Sequence, residues 1–162
     1  MIPFRSQPAV PRIRDGYQLL SQPDLAADDL TRLLEACGDR PRSPERWQRV
    51  LDCSAWHLAV LDGNGVLVGF VRATSDQALN ANLWDLLSLP GDPARTEVLQ
   101  ALVHGALSRL RRELGGCSIS VSAPPEALAA LQRSGFVVDP GGIRAMGLEL
   151  RSADRDSGWG KD

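Results

Sequence analysis

The stretch from Ala81 to Gly116, ANLWDLLSLPGDPARTEVLQALVHGALSRLRRELGG, decides the fold of this chain. It opens with the apolar run Leu83–Leu89, which ends at Pro90 and Gly91 and therefore predicts a buried strand. Apolar residues then recur at helical spacing as far as Leu114, which predicts a long amphipathic helix. A strand, a tight turn and a helix in succession present free backbone N–H groups at the helix N-terminus, where proteins bind phosphate.

The composition is that of an ordinary globular domain. The chain has 162 residues, of which 43% are hydrophobic and 23% charged, enough for one sizeable core. A net charge of -2 gives no general attraction to nucleic acid or to anionic membranes. No apolar run approaches the ~20 residues of a membrane span, and the N-terminus lacks the apolar segment of a secretory signal. We therefore expect a cytoplasmic protein with no nucleic-acid partner and no membrane insertion.

The cysteines and histidines give no sign of a metal site. Cys37, Cys53 and Cys117 are widely spaced in apolar surroundings, which favours buried, reduced thiols over disulfides. His57 and His104 are far apart and have no third ligand at metal-binding spacing. We expect no bound metal.

The remaining patterns give the element order β α α β β β α β α β β. Residues 1–15 read as an irregular leader, residues 16–150 as one domain, and residues 151–162 as a disordered tail. A hairpin turn is predicted at DGNG, and a closing hairpin is predicted from FVVD and IRAMGLEL around a PGG turn. The order predicts an α/β (α+β) domain with a mixed, mostly antiparallel sheet of six to seven strands and helices on both faces.

Two separated stretches resemble one known superfamily. GFVRATSDQALNANLWDLLSLP, from Gly69 to Pro90, and SGFVVDPGGIRAMGLEL, from Ser134 to Leu150, resemble the GNAT N-acetyltransferases. Within that superfamily they are similar to the plastid-type branch, the serotonin-acetyltransferase-like and nuclear-shuttle-protein-interactor proteins. The resemblance implies transfer of an acetyl group from acetyl-CoA to a small amine, a lysine or a protein N-terminus. It leaves open whether the chain is a monomer or a homodimer.

The resemblance also implies where the coenzyme binds. In the superfamily the pantetheine arm pairs with the backbone of the central strand, and the diphosphate lies on a turn that reads R/Q-x-x-G-x-G/A. The positions of this chain that match those two motifs are Leu86, Leu87, Ser88, Leu89, Arg95, Thr96, Glu97, Val98, Leu99, Gln100 and Ala101.

Several positions in the predicted phosphate turn depart from the superfamily pattern. Val98 and Gln100 stand where glycines are expected, and Glu97 adds a negative charge beside the phosphates. Asp92 followed by Pro93 is typical of a helix start, with Asp92 as the N-cap that would occupy the anion-attracting end of the helix. We therefore expect coenzyme binding to be weakened or absent.

The residues that the resemblance assigns to proton transfer also differ from the superfamily pattern. Leu131 stands where many members have the tyrosine that protonates the leaving thiolate, and Pro124 and Pro125 replace a polar residue after the fifth strand. Asp85 is the one carboxylate in the central strand; it is either a general base or a structural residue that caps a neighbouring backbone group or pairs with an arginine. Two hypotheses follow: an acetyltransferase of weak activity, or a degenerate GNAT-fold protein that binds a protein partner.

Overall fold

A computed structural model describes residues 9–138 of the chain. The helices and strands, in chain order, are β1 Gln18–Ser21, α1 Ala27–Ala36, α2 Pro44–Asp52, β2 Trp56–Leu61, β3 Leu67–Ser75, β4 Asn80–Ser88, α3 Arg95–Glu113, β5 Ser118–Val121 and α4 Leu128–Arg133. A short 3-10 turn, Pro125–Ala127, leads into α4. The predicted leader residues 1–8, most of the predicted closing hairpin and the predicted tail lie outside the described residues.

The strands form one mixed sheet in the order β1-β2-β3-β4-β5. Neighbouring strands from β1 to β4 are antiparallel, and β5 is parallel to β4 because α3 crosses over between them. The predicted mixed, mostly antiparallel sheet is therefore confirmed, but the count of six to seven strands is off, since the described sheet has five. Val137 and Val138 read as strand residues from their side chains. They are 70% and 64% exposed and pair with no strand within residues 9–138.

Helices cover both faces of the sheet, as predicted, and each face has its own core. On one face, α1 and α2 pack against β2 and β3; the buried residues of this core are Leu30, Leu33, Leu34, Trp47, Ala59, Leu67 and Phe70. On the other face, α3 and α4 pack against the sheet through residues that include Val60, Leu83, Val98, Leu102, Leu110 and Leu131. Burial of these apolar side chains is the main favourable term that holds the two layers on the sheet.

Local sequence signals account for the turns that order the strands. The side chain of Ser43 accepts a hydrogen bond from the amide of Arg46, so Ser43 is the N-cap of α2. In the β2–β3 turn the Asp62 carboxylate accepts the amides of Asn64 and Val66, and Gly65 adopts a φ of 78° that a side chain would disfavour.

The cysteines differ from the prediction of buried thiols. Cys53 is exposed and Cys37 and Cys117 are half-buried, although all three are free as predicted. Apolar neighbours in sequence do not ensure burial, because Cys37 and Cys53 are the C-caps of α1 and α2 and Cys117 immediately precedes β5. Among the described residues, no helix is both long and apolar enough to span a membrane. The same residues contain no group of three metal-binding side chains.

Candidate functional site

A gap opens in the sheet where β4 and β5 diverge. The parallel pairing runs from Asn80 opposite Ser118 to Leu83 opposite Val121, and there β5 ends. Pro124 and Pro125 follow; because proline has no N–H, it does not continue a strand ladder. β4 runs on to Ser88, paired with β3 alone, so its other edge has no strand partner in the described part of the chain.

A β-bulge in β4 lies at this gap. Phe70 pairs with Leu87 and Arg72 pairs with Trp84, so the two residues Asp85 and Leu86 lie opposite a single residue of β3. Asp85 has a φ of 49°, a left-handed conformation that aspartate tolerates better than most residues. In a regular strand, successive side chains point to opposite faces, whereas the bulge allows Asp85 to share a face with Trp84.

Two arginines neutralise the Asp85 carboxylate. Arg42 donates to its Oδ1 at 2.9 Å, and Arg72 donates to its Oδ2 at 2.5 Å. Burial alone raises the pKa of the Asp85 carboxyl. The hydrogen bonds and positive charges of Arg42 and Arg72 outweigh burial and hold the pKa below its ordinary value. Asp85 is therefore an ionised, doubly paired carboxylate, a weak proton acceptor, and its geometry matches the alternative of pairing with arginine.

Trp84 is a partly exposed aromatic residue next to Asp85. Its indole Nε1 donates to Thr74 Oγ1 at 2.8 Å, the Arg72 guanidinium lies 5.9 Å from its ring centroid, and 40% of the residue is exposed. Tryptophan is more often a core residue than a binding platform, and Trp56 is indeed buried, whereas Trp84 belongs to neither core cluster.

Helix α3 begins two residues later than the sequence predicts. Its first residue is Arg95 and its N-cap is Ala94, so the prediction of Asp92 as N-cap and Pro93 as first helical residue is wrong. Asp92 instead closes a separate turn: its Oδ1 accepts the amide of Ala94 at 2.7 Å, and its carbonyl accepts the amide of Arg95 at 3.1 Å. An aspartate carboxylate accepts backbone N–H groups in a turn as readily as at the start of a helix, and here Asp92 does so in the turn before α3.

This shift leaves two amides available at the start of α3. The N–H groups of Thr96 and Glu97 donate to no acceptor among residues 9–138, as expected for the first turn of a helix. Val98 is the first residue of α3 whose amide makes the i→i−4 hydrogen bond of a helix, to the carbonyl of Ala94. Backbone donors and the positive end of the helix dipole therefore remain accessible to an anion.

Val98 does not cover these amides, although it replaces a glycine of the superfamily motif. Its side chain is fully buried against β3, where Gly69 leaves room for it. A Cβ built on Gly69 would lie 2.5 Å from Val98 Cγ1. Leu99 is buried in the same core and Ala101 is buried as well, so these three residues offer a ligand their backbone only.

The chain before β1 packs against the start of α3. Arg14 lies 3.3 Å from Glu97, and the hydroxyl of Tyr17 lies 3.2 Å from both carboxylate oxygens of Asp92. Desolvation and the negative charge of Asp92 raise the pKa of Tyr17. Sequence analysis did not predict these contacts, since 75 or more residues separate the partners. Because Arg14 lies beside Glu97, its positive charge partly offsets the negative charge of Glu97.

The remaining residues that the motifs predicted lie at the end of β4 and on α3. Leu86 and Ser88 are buried, Leu87 and Leu89 are half-buried, and Gln100 is half-buried on α3. Arg95 connects the two sides of the gap, because its Nε donates to Ser88 Oγ at 3.0 Å and its Nη2 donates to Glu126 Oε1 at 2.5 Å.

The position matched to the superfamily tyrosine has no acid. Leu131 lies on α4, is 2% exposed and packs in the core beside α3. The structure thus brings the β4 edge, the bulge and the start of α3 together. It adds Arg14, Arg42, Arg72 and Glu126, which no motif in the sequence marked.

Solved structures share this fold. A GNAT family acetyltransferase from Streptococcus pneumoniae is 18% identical with a TM-score of 0.64, covering 83% of this chain and 98% of its own. A Trypanosoma brucei acetyltransferase is 16% identical with a TM-score of 0.63, covering 83% of this chain and 99% of its own. A sheet with this crossover and this divergence defines the GNAT fold class.

Curated relatives support a narrower assignment. A Porphyra purpurea protein named uncharacterized N-acetyltransferase ycf52 is 34% identical over 138 residues, which are 83% of this chain and 77% of the relative. The chloroplastic GCN5-related N-acetyltransferase 2 of Arabidopsis thaliana is 37% identical over 83 residues, which are 49% of this chain and 30% of the relative. No family model matches the chain. The chain belongs to the GNAT superfamily of N-acetyltransferases, in its plastid-type branch.

Proposed function

We propose that this protein transfers an acetyl group from acetyl-CoA to an amine, with weak activity. The acceptor class is a small amine, a lysine side chain or a protein N-terminus. One observation carries the proposal: within residues 9–138, the edge of β4 beyond Leu83 has no strand partner, and the amides of Thr96 and Glu97 a few residues further on have no acceptor. An extended chain that ends in phosphates fits both features at once, since a strand edge pairs with an extended amide chain and a helix start attracts an anion.

The residues present fit the coenzyme at these two places. The backbone of β4 from Leu86 to Leu89 would hold the pantetheine arm, and the amides of Thr96 and Glu97 would hold the diphosphate. Arg14 reduces the repulsion that the Glu97 carboxylate would otherwise exert on the phosphates. When bound, acetyl-CoA supplies a thioester whose carbonyl carbon accepts an amine nitrogen.

Proton transfer is the step that the chain supports least. Both oxygens of Asp85 are held by arginines, so Asp85 is not a free base, and we infer that an ammonium acceptor loses its proton through water. Leu131 provides no hydroxyl to protonate the leaving thiolate. Loss of a positioned acid or base lowers a rate by about 10²–10⁴-fold, and we infer weak activity for this reason.

A second candidate is a degenerate GNAT-fold protein that binds a protein partner. Ion pairing of Asp85 and burial of Leu131 favour it, because both remove chemistry while keeping the scaffold intact. A cytoplasmic location, no nucleic-acid partner and a monomeric or homodimeric state remain predictions from the sequence. Size-exclusion chromatography with light scattering measures the last of these.

Calorimetric titration with acetyl-CoA separates the two candidates. A dissociation constant in the micromolar range supports the acetyltransferase, and a millimolar or undetectable one supports the partner-binding module. Acetyl transfer to a panel of a polyamine, a lysine peptide and a free peptide N-terminus then identifies the acceptor class.

A backbone variant tests the phosphate site itself. Thr96→Pro removes one free N–H in the first helical turn, where proline is tolerated because the N–H has no partner within the helix. We expect acetyl-CoA to bind at least about tenfold more weakly, since a hydrogen bond to a charged group is lost. Asp28→Pro, the same change in the first turn of α1, is the control and keeps wild-type affinity. Equal affinity of Thr96→Pro and wild type would mean that the phosphates lie elsewhere.

A further inference from the structure

We propose that Glu126 competes with the coenzyme's diphosphate for the guanidinium of Arg95, an inference that rests on the proposed function. In the free protein Glu126 holds Arg95 across the gap between β4 and the segment after β5. When the coenzyme binds, Glu126 releases Arg95, and the guanidinium turns to a phosphate. Glu126 thereby sets the affinity for the coenzyme.

The hydrogen bonds of Arg95 define the contact. Its Nε donates to Ser88 Oγ at 3.0 Å, and Ser88 is 1% exposed near the end of β4, so this side of the guanidinium is fixed. Its Nη2 reaches Glu126 Oε1 at 2.5 Å, and Glu126 lies in the 3-10 turn that follows β5. The ion pair therefore joins the two sides of the opening that the coenzyme must enter.

Cys37 also contacts Ser88, the residue that accepts the Nε hydrogen bond of Arg95. Cys37 ends α1, on the opposite face of the sheet from α3, and its Sγ donates to the carbonyl oxygen of Ser88 at 3.4 Å. Burial raises the pKa of the Cys37 thiol; the charge of Arg95 lowers it and that of Glu126 raises it. The ion pair therefore lies next to Ser88, at the end of β4.

The chemistry favours an exchange of partners at Arg95. A guanidinium binds phosphate with the same planar geometry with which it binds a carboxylate, and a diphosphate carries more negative charge. The side chains of Arg95 and Glu126 are 31% and 32% exposed, so water screens the pair and lowers the cost of separating it. While it remains, the carboxylate also repels an incoming phosphate within the ~8–10 Å screening length.

Charge-neutral variants on α3 and on the 3-10 turn test the proposal by calorimetry with acetyl-CoA. Glu126→Gln is expected to lower the dissociation constant by about three- to tenfold, because it removes both the competitor and the repulsion. Glu113→Gln is the matched control: Glu113 pairs with Arg109 at 2.8 Å, is similarly exposed, and lies at the other end of α3. The control removes the same charge and should leave the dissociation constant within about twofold. Arg95→Gln should weaken binding.

Each outcome decides the matter. If wild type binds and Glu126→Gln binds equally, or if Glu113→Gln tightens binding as much, the competition is overturned while the proposed function stands. If neither wild type nor Glu126→Gln binds acetyl-CoA, both proposals fail. Raising sodium chloride from 50 to 300 mM should shrink the difference between Glu126→Gln and wild type, because the effect is electrostatic. An unchanged difference would overturn it. Thermal unfolding of each variant confirms the fold.

Discussion

Gly69 allows α3 to pack closely against the sheet, and the loss of stability in Gly69→Ala tests how tight this packing is. The added Cβ would lie 2.5 Å from Val98 Cγ1, 3.1 Å from Leu102 Cδ1 and 3.3 Å from Val60 Cβ. Overpacking of a core costs about 1–3 kcal/mol, and removing a glycine from a strand returns about 0.5–1 kcal/mol. We therefore expect a net loss of about 1–2 kcal/mol of unfolding free energy. The melting temperature should fall by about 3–8 °C for a domain of this size.

A second substitution tests whether the Val98 contact is the cause. Val98→Ala removes two buried methyl groups and should cost about 2 kcal/mol by itself. In the double variant Gly69→Ala with Val98→Ala, the clash disappears because the interfering methyl group is absent. The double variant should then be about 1–2 kcal/mol more stable than the sum of the single changes predicts.

Urea unfolding followed by tryptophan fluorescence gives these free energies, since Trp47 and Trp56 are buried and report loss of the core. Gly63→Ala is the control, because a Cβ there meets its nearest atoms at 3.7 and 3.9 Å and should change stability by less than about 0.5 kcal/mol. Additive effects in the double variant would refute the packing argument, because two residues in contact through a clash must couple.

Two further predictions concern aspartates with lowered pKa values. Asp85→Asn should lower the unfolding free energy at pH 7 by about 2–3 kcal/mol, because Arg42 and Arg72 each lose a charged partner in a mostly buried site. Because folding lowers the pKa of Asp85, its contribution is present above the unfolded value of about 3.9 and is lost as pH falls through the folded value. Urea titrations from pH 7 to pH 3 should therefore show wild type and Asp85→Asn converging. Asp76 accepts the amides of Ala78, Leu79 and Asn80, which hold its pKa well below the ordinary range. Asp76→Ala should lower the melting temperature at pH 7.

The Asp85 prediction has two contrary outcomes. Wild-type stability of Asp85→Asn at pH 7 would mean that the two arginines gain nothing from the carboxylate. A gap between the variants that does not narrow as the pH falls below about 3.9 would mean that the folded-state pKa is not the source of the difference. For Asp76, an unchanged melting temperature would show that the β3–β4 turn is held by its backbone alone.

The order of elements followed from local signals in the chain. Each signal depends on residues a few positions apart, such as Ser43 and Pro44 at the start of α2 or the alternation of Ile119 and Val121 in β5. The apolar run in β4 and the helical spacing in α3 gave the parallel crossover for the same reason. The partner strand predicted for Val137 and Val138 lies outside the described residues, so that hairpin stays a prediction.

The sequence predicted which backbone segments form the candidate site, but not where their side chains point. A motif match pointed to the backbone of β4 and to the first turn of α3, and the structure has a strand and a helix there. The match did not show the direction of side chains, so Val98 was interpreted as an obstacle to phosphate although it packs against Gly69. The Asp92–Pro93 pattern misplaced the helix start, because Asp92 satisfies a preceding turn instead of the helix.

The sequence by itself determined the layered mixed sheet and the strand–turn–helix that opens toward an anion. These depend on hydrophobic periodicity and turn chemistry, which act within one element or between neighbours in the chain. Only the tertiary structure decided the charge state of the site. Arg42 and Arg72 reach Asp85, Arg14 reaches Glu97, and Arg95 reaches Glu126 across distances in sequence that no local pattern encodes. Which charges meet is fixed by how the layers pack, because Coulomb energy depends on separation in space and not along the chain.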